Sequence, residues 1–273
     1  MPREHCLNIG IAGYGFVGTA VHRLLGRNAA NTFAIYDKYL SEHSGTEALA
    51  RLNLCDLVFV TVPTPYDLAQ GGCDVSNVRE VVDRLSVPVC IKSTVPPGTI
   101  EALTAQTGKA IAYSPEYIGE QPGHPWPEAD SAGFIICAGD PTACRLVRAA
   151  YRGGAIPPMR YVETSTAAAQ LVKYMENAFL AMKVAFANQF YDLATAANVD
   201  YAELRDLFLL DDRVGESHTR VYAERGFGGK CLPKDMNAIV AWARGRADAS
   251  LLAAALDYNT HLRERTGAVP ARN

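Results

Sequence analysis

The sequence predicts an α/β fold, a Rossmann-like doubly wound sheet followed by an all-helical domain with one long central helix. Three observations predict it. A glycine-rich turn joins an apolar run to a helical pattern near the N-terminus. Strand-like and helix-like segments then alternate, and from about Thr164 the pattern is helical to the end. The expected boundaries are residues 1–160 for a nucleotide-binding α/β domain and 161–273 for a helical domain that carries the dimer contact.

"LNIGIAGYGFVG" is a short apolar run ending in glycines at positions 13, 15 and 18, and "TAVHRLLG" continues with apolar residues at helical spacing. Strand, G-x-G-x-x-G and helix in that order suit a dinucleotide. Gly13 permits the tight turn, Gly15 lets backbone approach a pyrophosphate, and Gly18 allows close helix–strand packing. The helix N-terminus, with Phe16 and Val17 in its first turn, offers free N–H groups and a partial positive charge to phosphates. "FAIYDKY" is a second strand, ending in Asp37 19 residues after Gly18. An acid there can accept a hydrogen bond from the adenosine ribose diol and would repel a 2′-phosphate, so NAD is expected rather than NADP, with Lys38 beside it. "CDLVFVTVPTP" reads as a buried strand, "VSNVREVVDRL" as a helix, and "VPVCIKSTVPPGT" as a strand and turn. "IEALTAQTG" is a helix, "AIAYSP" and "GFIICAGD" are strands, and "PTACRLVRAAYRG" is a helix. Such alternation implies a mostly parallel sheet, and ligands bind these sheets at the carboxyl ends of the strands. Pro63, Thr94, Glu116 and Glu120 fall in the loops expected there.

The second half opens with a stretch of over thirty residues, "TSTAAAQLVKYMENAFLAMKVAFANQFYDLATAAN", free of glycine and proline, which Ser165 or Thr166 can cap. Its length suits a spine between domains or subunits. Its Ala/Met/Phe face predicts a homodimer through residues 166–196. Lys173 and Asn177, four residues apart, share a face; they are either solvated surface groups or a pair that holds a substrate hydroxyl. "DYAELRDLFLLD", "KDMNAIVAWARGR" and "SLLAAALDYNTHLRERTG" give three shorter helices.

The bulk numbers exclude several classes. With 273 residues, 49% apolar and 20% charged, the chain is ordinary globular material. A formal charge of −3 gives no sign of nucleic-acid binding. No apolar stretch approaches the ~18 residues of a membrane helix, and the N-terminus has no secretory pattern. The seven cysteines are odd in number and form no CxxC pair, which points to a reducing cytoplasm. The six histidines lack ligand spacing, so no metal is expected. "GHPWPEAD" reads as a rigid surface loop carrying Trp126.

Cys231 stands apart in "GFGGKCLPKD", where most cysteines would be small buried hydrophobes. Together GYGFVG, TVPTP, KSTVPPGT, SPEYIGE, the K-x-x-x-N of the long helix, DDRVG and GFGGKCLPKD resemble the nucleotide-sugar dehydrogenase family, whose best-known members oxidise UDP-glucose or GDP-mannose at C6. The resemblance runs in family order from residue 7 to about 265. It implies an NAD-dependent enzyme that oxidises a primary alcohol to a carboxylate by two hydride transfers. It further implies that Cys231 captures the intermediate aldehyde as a thiohemiacetal and then a thioester, with Lys173 and Asn177 beside the reacting hydroxyl. By the same resemblance Asp235 orients a water or Lys173, Thr94, Glu116 and Glu120 line the region where nicotinamide and water meet, and Tyr222 and Gly228 contact substrate. A thiol suits that task where positive charge lowers its pKa; Lys230, Lys234 and a helix start near Pro233 are expected to supply it.

Two departures bear on the substrate. The chain stops where longer relatives continue into a third, UDP-binding domain, so a short form lacking it is expected. The loop before Cys231 reads "VYAERG" where relatives have Asn-Pro and further glycines. A smaller phosphorylated substrate, or a nucleotide-binding function supplied by a separate chain, therefore stands beside a UDP-sugar. The alternatives are a two-electron β-hydroxyacid or 6-phosphogluconate-type dehydrogenase using Lys173, and a catalytically silent NAD-binding partner subunit.

Overall fold

Aliphatic runs bounded by glycines become strands buried on both faces. The computed structural model describes residues 6–119, 133–154 and 159–267; Glu120 and Trp126 lie outside them. The chain divides into two units, one of residues 1–64 and 74–172, the other of residues 65–73 and 173–273.

The first unit runs β1 (Asn8–Ala12), α1 (Phe16–Leu25), β2 (Thr32–Tyr36), α2 (Gly45–Leu52) and β3 (Leu57–Val60). The chain then makes a short antiparallel hairpin, β4 (Tyr66–Asp67) and β5 (Gly72–Cys73), that belongs to the second unit. It resumes with α3 (Ser76–Arg84), β6 (Val89–Ile91), α4 (Thr99–Thr107), β7 (Ile111–Tyr113), β8 (Phe134–Gly139), α5 (Pro141–Gly154) and β9 (Arg160–Thr164). The strands form one seven-stranded sheet in the order β2-β1-β3-β6-β7-β8-β9, parallel except where β8 runs against β7. Ile9 pairs with Phe33 on one side and Leu57 on the other. The expected doubly wound sheet is therefore present, with one antiparallel pair.

Alternate residues of each central strand face opposite layers. Leu57 and Phe59 pack with Val21 and Leu24 of α1 and Val147 and Tyr151 of α5. Val58 and Val60 pack with Leu52 of α2, Val78 and Val82 of α3, and Ile100 of α4. Burial of each such side chain stabilises the fold by about 1.5–3 kcal/mol. The sequence reading had not anticipated α2, the hairpin or β9. The strand order reverses between β1 and β3, which opens a crevice at their carboxyl ends.

The long helix α6 (Thr166–Ala196) spans 31 residues. Ser165 caps it, its Oγ accepting from the Ala168 N–H at 3.2 Å. The second unit takes α6 from Lys173 onward and adds α7 (Tyr201–Phe208), α8 (Cys231–Ala243) and α9 (Ser250–Arg265). Ala178, Ala181 and Ala185 of α6 pack with Phe227, with Met236 of α8 and with Leu252 and Leu256 of α9. The hairpin residues Tyr66 and Cys73 pack with Tyr174, Ile239 and Trp242. The unit is helical as expected, with that hairpin added. α8 begins at Cys231, two residues before the expected start near Pro233.

Candidate active site

In the first unit the glycine turn sits where β1 meets α1. A side chain at Gly18 would place its Cβ 2.1 Å from the Gly13 carbonyl oxygen, so only glycine lets the helix start this close to the turn. Around Gly15, by contrast, the space is open. The first-turn N–H groups, those of Phe16, Val17 and Gly18, have no carbonyl partner within α1. Phe16 is exposed and Val17 half-buried.

Asp37 follows β2 and ties this turn to the next loop. Its Oδ2 accepts from the Tyr14 N–H at 2.7 Å, and its Oδ1 from the Tyr39 and Leu40 N–H groups at 2.8 and 3.2 Å. A carboxylate has about four acceptor positions, so one on Oδ2 is left for a ribose hydroxyl. A pocket beside it is lined by Gly13, Asp37, Lys38, Val62, Pro63 and Glu80, among others. Lys38 points to the α3 wall, its Nζ 3.2 Å from Glu80 Oε2. That carboxylate holds the Lys38 pKa above its ordinary value. Open backbone at Gly15, free N–H groups beyond it and an acid at the ribose position together fit a dinucleotide.

Thr94 and Glu116 follow β6 and β7. The Thr94 carbonyl accepts from Thr64 Oγ1 at 2.8 Å and its side chain is half-buried. Glu116 is engaged by a residue the sequence reading passed over. Lys92, 3% exposed at the end of β6, places Nζ 3.3 Å from Glu116 Oε2 and donates to the Ser114 carbonyl at 3.0 Å. Burial works against the ammonium, but Glu116 beside it and the Tyr151 ring 5.5 Å away leave the Lys92 pKa raised. Burial raises the neighbouring Tyr151 hydroxyl and pushes the Cys90 thiol up to about 12. Glu116 is thus held against Lys92, and its other oxygen accepts from the Tyr117 N–H. The signal for Lys92 was a lone charge closing an apolar strand, "VPVCIK".

In the second unit α6 and α8 bring two of the expected residues, Asn177 and Asp235, into contact. Asn177, on α6, donates through Nδ2 to Asp235 Oδ2 at 2.5 Å. Asp235 is 1% exposed, on the first turns of α8, and its Oδ1 lies 2.5 Å from Lys234 Nζ. One turn before Asn177, Lys173 is buried with Nζ 3.0 Å from Glu176 Oε2. Cys231 is the first residue of α8 and is exposed. A thiol there meets the positive end of the helix. Burial opposes the Lys234 ammonium, yet Asp235, with Cys73 and Cys231 also near, keeps its pKa raised. Lys230 precedes the helix as its N-cap residue.

The loop before Cys231 is strapped to α9 by groups that sequence reasoning missed. Asn259 brackets Phe227: its Oδ1 accepts from the Phe227 N–H at 2.7 Å and its Nδ2 donates to the Phe227 carbonyl at 3.0 Å. Gly226 is left-handed at φ 68°, and a Cβ there would come within 2.4 Å of that Oδ1. Gly228 lies under the Arg263 guanidinium. In sequence Asn259 and Arg263 look like a solvated helix face. Tyr222, 67% exposed, lines a groove with Tyr191 and Arg225. Arg225 itself donates to Asn188 Oδ1 and Asp192 Oδ1, each at 2.7 Å. Among the described residues there is no His/Cys/Asp/Glu cluster able to hold a metal ion and no helix long and apolar enough to cross a membrane.

Residues 34–152 match the NAD binding domain of the UDP-glucose/GDP-mannose dehydrogenase family, and residues 167–261 match that family's central domain. The chain is 28% identical over 232 residues to a putative UDP-glucose 6-dehydrogenase of Bacillus subtilis, covering 78% of this chain and 52% of that one. It is 28% identical over 310 residues to a UDP-glucose 6-dehydrogenase of Haloferax volcanii, covering 95% and 71%. The chain spans about half the length of several of the curated relatives it matches. Among solved structures, a UDP-glucose dehydrogenase from Pyrobaculum islandicum superimposes with a TM-score of 0.82 over 98% of this chain and 73% of that one, at 24% identity.

Proposed function

From a chain that belongs to the UDP-glucose/GDP-mannose dehydrogenase family, with NAD as its cofactor, we propose an oxidoreductase that converts the primary alcohol of a sugar-like substrate to a carboxylate. The observation that carries this reading is the Cys231–Lys234–Asp235–Asn177 arrangement: an exposed thiol opening a helix, followed one turn later by a buried carboxylate bonded to an amide of α6. NAD, when bound, supplies hydride acceptance.

The chain's own groups account for the rest. The Lys173 ammonium and the Asn177 amide stabilise the alkoxide formed as the hydroxyl loses its proton. Asp235 fixes the Asn177 amide so that it meets that oxygen without reorganising. The Cys231 thiolate adds to the aldehyde carbon, giving a thiohemiacetal whose oxidation leaves a thioester. Water then attacks the thioester carbonyl, releasing the carboxylate and returning the thiol. Asp235 assists that water, and Thr94, Glu116 and Glu120 serve the cofactor side of the chemistry. Gly13, Gly15, Phe16, Val17, Gly18, Asp37, Lys38 and Pro63 hold the dinucleotide, and Tyr222 and Gly228 contact substrate. A UDP-sugar is the substrate proposed, and the working form is a homodimer through the exposed face of α6.

The test is NADH formed per mole of substrate across UDP-sugars, other nucleotide sugars, sugar phosphates and nucleoside monophosphates. A ratio near two supports the four-electron reaction. A ratio of one that is unchanged in Cys231→Ala would replace it with a single hydride transfer.

A further inference from the structure

The adenosine-side pocket of the first unit contains a charge arrangement that the proposed chemistry does not use. Asp37, Lys38 and Glu80 all line it. Lys38 directly follows the acid placed for the ribose diol and lines the same pocket, so it is an ammonium placed to meet a phosphate on the ribose 2′-oxygen. It is turned to the opposite wall instead, with Nζ 3.2 Å from Glu80 Oε2. The other oxygen of Glu80 lies 3.1 Å from Arg84 Nη2, one turn along α3. One carboxylate therefore holds two cations that could otherwise answer a phosphate.

The position of Glu80 is fixed by the helix that bears it. Val78 and Val82 of α3 are fully buried against the sheet, and Asn77 Nδ2 donates to the Pro63 carbonyl at 3.1 Å. The side chains of Lys38 and Glu80 are 53% and 36% exposed, and an ion pair of that exposure contributes little to stability. Its effect is expected in which ligand the pocket accepts. A ribose 2′-phosphate brings a charge of about −1.5 to −2 at neutral pH into a lining that already holds two carboxylates against one ammonium.

We propose that Glu80 is a specificity-determining residue for NAD over NADP, acting by occupying Lys38 and by adding a second negative charge beside Asp37. The proposal rests on reading this pocket as the adenosine site of the cofactor. Neutralising Glu80 takes one negative charge from the lining and frees the ammonium, so relative affinity for the phosphorylated dinucleotide should rise on the order of tenfold at low ionic strength.

The experiment is fluorescence titration of the full chain with NADH and with NADPH, comparing wild type, Glu80→Gln, Glu80→Lys and the double variant Glu80→Gln/Lys38→Met. The readout is the ratio of the two dissociation constants, with thermal melting to verify that each variant is folded. The expected result is a wild type that favours NADH and a ratio that shifts towards NADPH on the order of tenfold in Glu80→Gln. The shift should be larger in Glu80→Lys and reversed in the double variant. A ratio unmoved in both single variants overturns the role of Glu80, and a gain undiminished by loss of Lys38 overturns its action through Lys38; either leaves the cofactor pocket standing. Failure of NADH itself to bind wild type would overturn the pocket reading and this inference together.

Discussion

Cys231 shows how much one position in a helix can change a side chain. The other cysteines are small hydrophobes or surface groups: Cys90 is fully buried with its thiol pushed up to about 12, and Cys55 is buried with its thiol pushed up to about 11. Brief iodoacetamide treatment of the native chain at pH 8 should therefore alkylate the exposed Cys231 and Cys6 and leave Cys90 and Cys55 unmodified. Peptide mass spectrometry reads the pattern, and early labelling of Cys90 would contradict the structure. At this scale the sequence was informative wherever a residue type clashed with its surroundings. A cysteine among glycines and lysines, and a lysine four residues from an asparagine on an apolar helix, both drew attention. Lys92 and Asn259 did not stand out, because their partners, Glu116 and Phe227, are 24 and 32 residues away in sequence. Such pairs exist only once the chain has folded.

The elements most legible in sequence were those with one dominant period. Fully apolar runs became the central strands, and a glycine-free helical pattern became α6. The hairpin of two-residue strands and the edge strand β9 carry too little pattern to be seen. Between elements, side chains that satisfy backbone groups set the geometry. Asn259→Ala should leave the buried Phe227 N–H and C=O without those bonds, at a cost of roughly 1–3 kcal/mol each. A lowered melting temperature together with slower turnover is the expected outcome, since the same loop delivers Cys231. Wild-type behaviour on both counts would show that α9 does not hold the loop. A second link joins α6 to α9, where Asp192 accepts from Arg225 Nη2 at 2.7 Å and from Arg265 Nη2 at 2.6 Å. Partial burial opposes the charged form, but the two guanidinium groups outweigh it and hold the Asp192 carboxyl below its ordinary range. The stability it contributes is therefore full above about pH 4, the unfolded value, and is lost as pH falls through the lower folded value. The Asp192 side chain is 36% exposed, so the amount is about 1 kcal/mol or less. Melting temperatures from pH 7 down to pH 3 should fall less steeply in Asp192→Asn than in wild type.

For the whole molecule, the sequence revealed a change of composition near Thr164 and a long helix with an apolar face. In the structure Met175, Phe179, Phe186 and Phe190 of α6 are 72%, 61%, 49% and 40% exposed. A second copy laid along this stripe would remove it from water, so Met175→Glu/Phe179→Glu should shift a dimer to monomer in sedimentation at micromolar concentration. A wild type that sediments as a monomer would refute the dimer outright. That the chain visits the helical unit early was not legible beforehand, because a nine-residue excursion (residues 65–73) has no period to read. That excursion has a consequence for biosynthesis. The hairpin packs on α8, which leaves the ribosome about 160 residues later, at ~5–20 residues per second. For roughly eight seconds or more Tyr66 and Cys73 must wait without the helix that covers them. A chaperone that binds nascent chains would find its clearest target there, and moving the gene's start point to place the hairpin after α9 would remove the delay.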